Sequence, residues 1–494
     1  EHYTENIWLG SSGGGIGGYW GHIRSDGTTT SAGSRSTGSI PFLKVVDSEM
    51  LAVSQGVTRR GSYAAWYDIS HPEVFEFLDM RKPTGGDANR KALNLHQGIN
   101  IPNKFMRIIE ECENNPDADP SWELVDPHSK EVIETVDARL LWQKIIETRM
   151  QTGEPFIAFI DTINEALPEE LKEDGLIVHH SNLCSEITLP TNDEKTAVCC
   201  LSSLNLEKWE EWKEDNLFIQ DTVRFLDNVL EYFIENAPLS MHKAIRSAMD
   251  ERSIGLGALG FHYLLMQKNI PFESAMATGL NKTIFKHIQE KANEATLLLG
   301  DERGSPSLLE GTGKRNAHLL AIAPNASSSI ILGTSPSIEP INSNIFTHKT
   351  LSGSWTVKNK YLDDVLKNIF ETEAEVTDAW KRILLDGGSV QNIIELDEWQ
   401  KSVFKTSFEI DQRWVVSHAA DRQQYICQSQ SLNLFLEPDV PVQFAHSLLM
   451  QGWKRGVKTF YYQRTKASRR AEMIGEKVAR EYIIDDGECL SCEG

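Results

Sequence analysis

Residues 154–161 read EPFIAFID, a short apolar run that follows Gly153 and closes on Asp161. An unbroken apolar run of this length suits a strand buried on both faces. Residues 62–69 (SYAAWYDI) and 456–462 (GVKTFYY) read the same way. Amphipathic helices lie between them. In residues 221–238 (DTVRFLDNVLEYFIENAP), Phe225, Leu226, Val229, Leu230 and Phe233 recur at helical spacing, and Pro238 limits the far end. Residues 71–80 (HPEVFEFLDM) open another helix, with Pro72 in its first turn, where the missing N–H costs nothing. Strands and helices that alternate over several hundred residues predict an α/β protein with a parallel sheet or barrel.

The 494 residues suffice for a large catalytic domain, and a 40% hydrophobic content lets it bury a substantial core. A net charge of −22 excludes a general nucleic-acid-binding surface. A small anion would need a local cradle against that field. No apolar run approaches a membrane span, and no signal peptide is visible. The chain starts at Glu1 without an initiator Met, so its natural N-terminus is expected to lie upstream. The seven cysteines (Cys112, Cys184, Cys199, Cys200, Cys427, Cys489 and Cys492) are odd in number and sparse. That usage points to a reducing, cytoplasmic compartment and to thiols kept for chemistry. Cys112 and Cys427 read equally well as inert packing.

Several motifs can carry function. Residues 10–24 (GSSGGGIGGYWGHIR) satisfy G-x-G-x-x-G through Gly13, Gly15 and Gly18, but Tyr19-Trp20-Gly21 is a poor helix opening. A flexible loop with a bare backbone open to a ligand is the better reading. Arg24 follows, and residues 54–62 (SQGVTRRGS) place Arg59 and Arg60 between glycines. Both segments read either as phosphate-contacting loops or as surface turns with solvated charge. Residues 323–332 (APNASSSIIL) put serines before an apolar run. Its first N–H groups with Ser327 and Ser328 would hold an anion without any cation; ordinary serine capping is the alternative. Cys489 and Cys492 form a C-x-x-C in a charged tail, either half a zinc site or a mobile thiol–disulfide shuttle. Tyr461 and Tyr462 end a predicted strand, where neighbours point to opposite faces and packing is the usual role.

In residues 181–190 (SNLCSEITLP), Asn182, Cys184 and Glu186 are spaced two apart, which on an extended segment puts them on one face. A thiolate nucleophile wants a cationic neighbour, whereas Glu186 opposes ionisation of Cys184. One-electron chemistry from a neutral S–H fits the trio better.

Taken in order, GGGIGGYWGHIR, SQGVTRRG, SNLCSEI, AVCCLSSLNL, RSIGLGALG, APNASSSIILGTSPSIEP, CQSQSLNLF, GWKRGVKTFYYQRT and the terminal ECLSC resemble the large, catalytic subunit of class I ribonucleotide reductase. The tyrosine pair and cysteine tail look like the oxygen-dependent class. The cobalamin class reads N-P-C-G-E where this chain has Asn182-Leu-Cys-Ser-Glu186.

The resemblance implies a ten-stranded α/β barrel over residues 1–465, with Cys184 on a loop inside it, and a flexible redox tail over 466–494. It implies reduction of a ribonucleoside diphosphate at C2′. Cys184 would carry a transient thiyl radical that takes the 3′-hydrogen, Glu186 would take the 3′-hydroxyl proton, and Asn182 would hydrogen-bond the ribose. Cys199 would be one of two barrel thiols that form a disulfide as water leaves, with Cys200 the lesser candidate. Gly14, Gly15, Ala326, Ser327 and Ser328 would hold the substrate. Arg24, Gln55 and Arg59 would read an ATP or deoxynucleotide effector at a homodimer interface. Tyr461 and Tyr462 would relay a radical from a separate metal-containing small subunit. Cys489 and Cys492 would re-reduce the barrel disulfide and be reduced by thioredoxin or glutaredoxin.

Members of the family usually carry a couple of hundred residues before the point where this chain begins. Those residues hold an ATP cone, the first barrel strands and the second barrel cysteine. Cys112, on ECENNPDADP, does not match that cysteine's motif. Activity is therefore expected to need an upstream segment as well as a small subunit. An inactive nucleotide- or partner-binding remnant is the alternative, and a zinc or dithiol module in the tail a third reading.

Overall fold

A computed structural model describes residues 2–53, 61–350 and 353–466. Gln55, Arg59, Cys489 and Cys492 lie outside the described residues, as does nearly all of the expected tail. The strands are β1 (Gly15–Tyr19), β2 (Ser62–Asp68), β3 (His96–Ile101), the hairpin β4 (Ser121–Val125) and β5 (Val132–Asp137), and β6 (Phe156–Phe159). They continue as β7 (Cys200–Asn205), β8 (Ile254–Leu259), the hairpin β9 (Ile345–Thr350) and β10 (Gly353–Lys358), β11 (Leu434–Leu436), β12 (Thr459–Phe460) and β13 (Gln463–Thr465).

The barrel wall forms two arcs. One is a five-stranded sheet, β1-β2-β3-β6-β12, parallel except for the β6–β12 pair. The other is the parallel pair β7–β8, extended by parallel bridges from Leu256 to Leu320 and from Ile322 to Gln430. The arcs meet where the Thr459 hydroxyl donates to the Gln430 carbonyl at 3.0 Å and the Tyr461 N–H donates to the Leu432 carbonyl at 2.8 Å. Helices such as Ala138–Thr152, Phe218–Asn236 and Ala275–Arg303 pack outside.

The wall's interior follows from strand alternation. Tyr63, Ala65 and Tyr67 of β2 and Ile157 and Phe159 of β6 join the large core shared with the helices. Their neighbours Ala64, Trp66, Phe156 and Ala158 turn the other way and pack with Leu183, Cys184, Tyr461 and Tyr462. Within EPFIAFID, Phe156–Phe159 form a fully buried strand, as the composition predicts, while Ile160 and Asp161 open the next helix.

Three expectations change. The glycine-rich stretch is not a loop: Gly15 to Gly18 belong to β1. Pro72 lies in a turn ahead of its helix, which runs Val74–Asp79. In the helix Phe218–Asn236, the buried stripe is Ile219, Val223, Leu226 and Leu230, while Phe225 is 60% exposed. Apolar residues here exceed what one face can bury.

Candidate functional site

The loop from Val178 to Pro190 lies inside the barrel. Its carbonyls and side chains are held from several walls. Asn100 of β3 donates to His179 O at 2.7 Å, and the Trp66 indole donates to Asn182 O at 3.3 Å. Ser429 N–H donates to Glu186 O at 2.9 Å, and the Thr459 hydroxyl donates to Ser185 O at 2.9 Å. The Ser431 hydroxyl donates to Cys184 O at 2.6 Å. A Cβ on Gly17 would fall 2.0 Å from Ser181 O, so β1 can pass the loop only as glycine. The bare backbone of the glycine stretch does serve a close approach, but the visitor is the chain's own loop. Gly15 likewise faces Leu183, and Gly14 lies against Leu9.

The trio meets through a turn and not on an extended face. Ser185 has φ 68°, which reverses the chain between Cys184 and Glu186. Asn182 Oδ1 accepts the Ile187 N–H at 3.2 Å, and the Asn182 side chain hydrogen-bonds Glu186. Ser431 also donates to Glu186 Oε2 at 3.2 Å. Burial pushes the Glu186 carboxyl up to about 7, against the pull of these bonds, so it can take or give a proton near neutral pH. Cys184 is disulfide-bonded in this structure, whereas Cys112, Cys199, Cys200 and Cys427 are free thiols.

Tyr461 reaches the same point. Its hydroxyl donates to the Cys184 sulfur at 3.7 Å. The Tyr461 and Tyr462 rings stand 4.3 Å apart between centroids, tilted by 56°. The alternation expected of strand neighbours fails because β12 ends at Phe460, and the pair sits between β12 and β13. The buried Arg149 guanidinium anchors Tyr461 O at 3.0 Å. Tyr462 continues outward to His96, 3.1 Å from its hydroxyl.

Cys199 lies just before β7. Burial raises its thiol well above the ordinary range, and Cys200, Glu186 and Cys427 push the same way. The Gln428 amide donates to its sulfur at 3.8 Å. Cys200 is pushed up to about 11 by burial.

Residues 326–332 do form a short helix, Ala326–Leu332, following the segment that bridges β8 and Gln430. Serine capping is not what happens. The N-cap is Asn325, with φ 58° and no side-chain cap bond, and Ser329 alone turns back, to Ala326 O at 2.7 Å. Ser327 and Ser328 are half-buried at its first turn. Ser431 N–H donates to Ile322 O at 2.9 Å, which ties this strand to the Cys184 loop.

Arg24 lines a cavity of about 600 Å³ with Tyr19, Trp20, His22, Arg35 and His128. Arg35 was not singled out by its sequence context; only the fold brings it beside Arg24. Among the described residues no cluster of three or more His, Cys, Asp or Glu can hold a metal, and no helix is long and apolar enough to cross a membrane.

The family model for the ribonucleotide reductase barrel domain matches residues 1–309 and 306–463. A large-subunit homologue from Frog virus 3 is 47% identical over 100% of this chain and 84% of its own length. The ribonucleoside-diphosphate reductase large subunit of invertebrate iridescent virus 3 is 41% identical over 93% of this chain and 80% of its own length. That of Caenorhabditis elegans is 32% identical, over 98% and 69%. Among solved structures, the class Id ribonucleotide reductase alpha subunit of Actinobacillus ureae superposes with a TM-score of 0.80 at 34% identity, covering 94% of this chain and 81% of that one. The barrel, the loop threaded through it and these likenesses together show that the chain belongs to the ribonucleotide reductase family, among its large subunits.

Proposed function

We propose that this chain is the catalytic large subunit of a class I ribonucleoside-diphosphate reductase, an oxidoreductase that makes deoxyribonucleotides. The observation that carries the reading is the unbroken line Tyr462–Tyr461–Cys184, which ends beside Asn182 and Glu186. A separate small subunit supplies the radical, using its own metal. The hole passes through Tyr462 and Tyr461, and the reduced Cys184 thiol gives up its hydrogen atom to become a thiyl radical.

That radical takes the 3′-hydrogen of the substrate ribose. Glu186, with a carboxyl poised near neutrality, accepts the 3′-hydroxyl proton, and Asn182 binds the ribose hydroxyls. As the 2′-hydroxyl leaves as water, Cys199 and a second barrel thiol supply two electrons and become a disulfide. The raised Cys199 value suits this step, because the thiol stays protonated until it reacts. Cys489 and Cys492 re-reduce the disulfide and are themselves reduced by thioredoxin or glutaredoxin in the cytoplasm.

The diphosphate sits over the uncapped first turn at Ala326, Ser327 and Ser328, where N–H dipoles answer the acidic field of the chain, with Gly14 and Gly15 as further substrate contacts. An ATP or deoxynucleotide effector occupies the Arg24 cavity, with Gln55 and Arg59 as further contacts. The helices His2–Ser11 and Ile40–Val53 expose Trp8, Phe42, Val45 and Leu51, an apolar face consistent with a homodimer.

The test is reconstitution. The large subunit, extended upstream to its natural start, is mixed with a small subunit, a dithiol and a ribonucleoside diphosphate, and deoxynucleotide is measured. Tight nucleotide binding with no product under these conditions would favour a binding remnant.

A further inference from the structure

One buried amide beside Cys199 has no part in the function above. Gln428 lies two residues before Gln430 in the second arc of the wall and is fully buried. Its side chain joins three separate segments. Oε1 accepts the Thr188 N–H at 3.3 Å, from the loop that carries Cys184 and Glu186. Nε2 donates one hydrogen to Ile254 O at 3.0 Å, at the start of β8, and the other to the Cys199 sulfur at 3.8 Å. These neighbours fix which end of the amide is which, because a backbone N–H needs the oxygen and a backbone carbonyl needs the nitrogen. The backbone is held as firmly. Gln428 N–H donates to Leu320 O at 3.1 Å, and its carbonyl accepts from the Lys458 ammonium at 2.9 Å and from the Gln423 amide at 3.0 Å. Burial, Cys200, Glu186 and Cys427 all resist ionisation of the Cys199 thiol, and the Gln428 N–H alone favours it.

We infer that Gln428 is a positioning residue for the reductive half of the cycle, its N–H holding the Cys199 sulfur as that sulfur leaves the barrel disulfide as a thiolate. The inference rests on the reading of Cys199 as one of two barrel thiols that the tail re-reduces. A tail thiolate attacks the sulfur bonded to Cys199. A new S–S bond joins the tail to that partner sulfur, the old S–S bond breaks, and the electron pair stays on Cys199. The second tail thiol then displaces the partner sulfur and closes the tail disulfide. The barrel pair gains two electrons, the tail dithiol loses them, and its two protons end on the barrel thiols. The difficult species is the Cys199 thiolate, formed in a site dry enough to keep the resting thiol protonated. A hydrogen bond to an ionised group is stronger than one to its neutral form, so the contact contributes most as the S–S bond breaks. Nucleotide reduction has the opposite need, a thiol that stays protonated until it reacts. A neutral amide serves both halves, because it brings no permanent charge that would ionise the thiol early.

The experiment compares wild type, Gln428→Met and Gln428→Glu in the reconstituted enzyme. Two rates are recorded: deoxynucleotide formation in a single turnover of prereduced enzyme, and the return of barrel thiols when the oxidised enzyme is mixed with a dithiol. Gln428→Met fills the same space without a donor. Its re-reduction is expected to slow roughly 10- to 100-fold, at least ten times more than its single turnover. Gln428→Glu keeps an oxygen for Thr188, and once ionised it repels the thiolate. Its re-reduction rate relative to wild type is expected to fall as pH rises, which decides the matter if the methionine variant does not fold. Re-reduction of Gln428→Met at the wild-type rate would overturn the inference. Equal losses in both rates would do the same, showing that the amide only tethers the Thr188 loop. A wild-type enzyme that forms no deoxynucleotide in the single turnover would instead overturn the reading of the site on which the inference rests.

Discussion

The Tyr461 hydroxyl points at the Cys184 sulfur from 3.7 Å, across 277 residues of chain. That contact joins the end of the last arc of the wall to the loop at its centre. Tyr461→Phe keeps the ring and its packing on Phe156 and removes the oxygen that, on the proposed mechanism, takes the hydrogen atom from Cys184. Turnover is expected to vanish while nucleotide binding, followed by calorimetry, stays the same. Weakened binding would mean that the hydroxyl shapes the pocket instead.

If Glu186 is the base, it sets the acid side of the rate profile. Its carboxyl is pushed up to about 7 by burial, and only the ionised form can accept a proton. The value of kcat/KM should therefore rise as pH passes through about 7 and level off above it. Glu186→Gln should lose this limb along with roughly 100- to 10,000-fold of rate. A wild-type profile flat from pH 5.5 to 8 would exclude Glu186 as the base.

Glu154 makes an opposite demand on stability. Its folded value, about 2, lies below the ordinary 4.5, so the folded state favours its ionised form. That stabilisation is complete above about pH 4.5 and is lost as pH falls from there toward 2. Glu154→Gln leaves Arg81 without its buried partner and should cost about 3 kcal/mol in a denaturant titration at neutral pH. The gap between the two proteins should narrow in acid. A gap that held constant down to pH 3 would mean that packing, and not charge, is what the substitution removes.

Gly17→Ala tests the threading of the loop. The added methyl would meet Ser181 O at 2.0 Å, and that oxygen belongs to backbone fixed on both sides. The variant should lose about 1–3 kcal/mol of stability and most of its turnover, since Cys184 moves with the loop. Normal activity would show that β1 yields and the loop does not depend on it.

What the sequence made legible was element type and which residues gather. The apolar runs at β2 and β6 announce strands buried on both faces, and the spacing of Asn182, Cys184 and Glu186 announces side chains brought to one place. The local geometry was less accessible. Ser185 takes φ 68° because hydrogen bonds from Thr459, Ser429 and Ser431 fix the loop on every side, and none of these is near it in the chain. Alternation misplaces Tyr461 and Tyr462 because it holds only inside a strand, and β12 stops one residue earlier. His96 and Glu154 lie 58 residues apart, and only the pairing of β3 with β6 makes them neighbours.

The central claim is that Cys184 carries the radical that starts nucleotide reduction. The most direct test is Cys184→Ser in the reconstituted, fully reduced enzyme, with deoxynucleotide formation measured beside effector and small-subunit binding. The account predicts no detectable product with both bindings intact, since serine keeps the shape but its O–H is too strong a bond for Tyr461 to break. Deoxynucleotide formed at even a few per cent of the wild-type rate would contradict it.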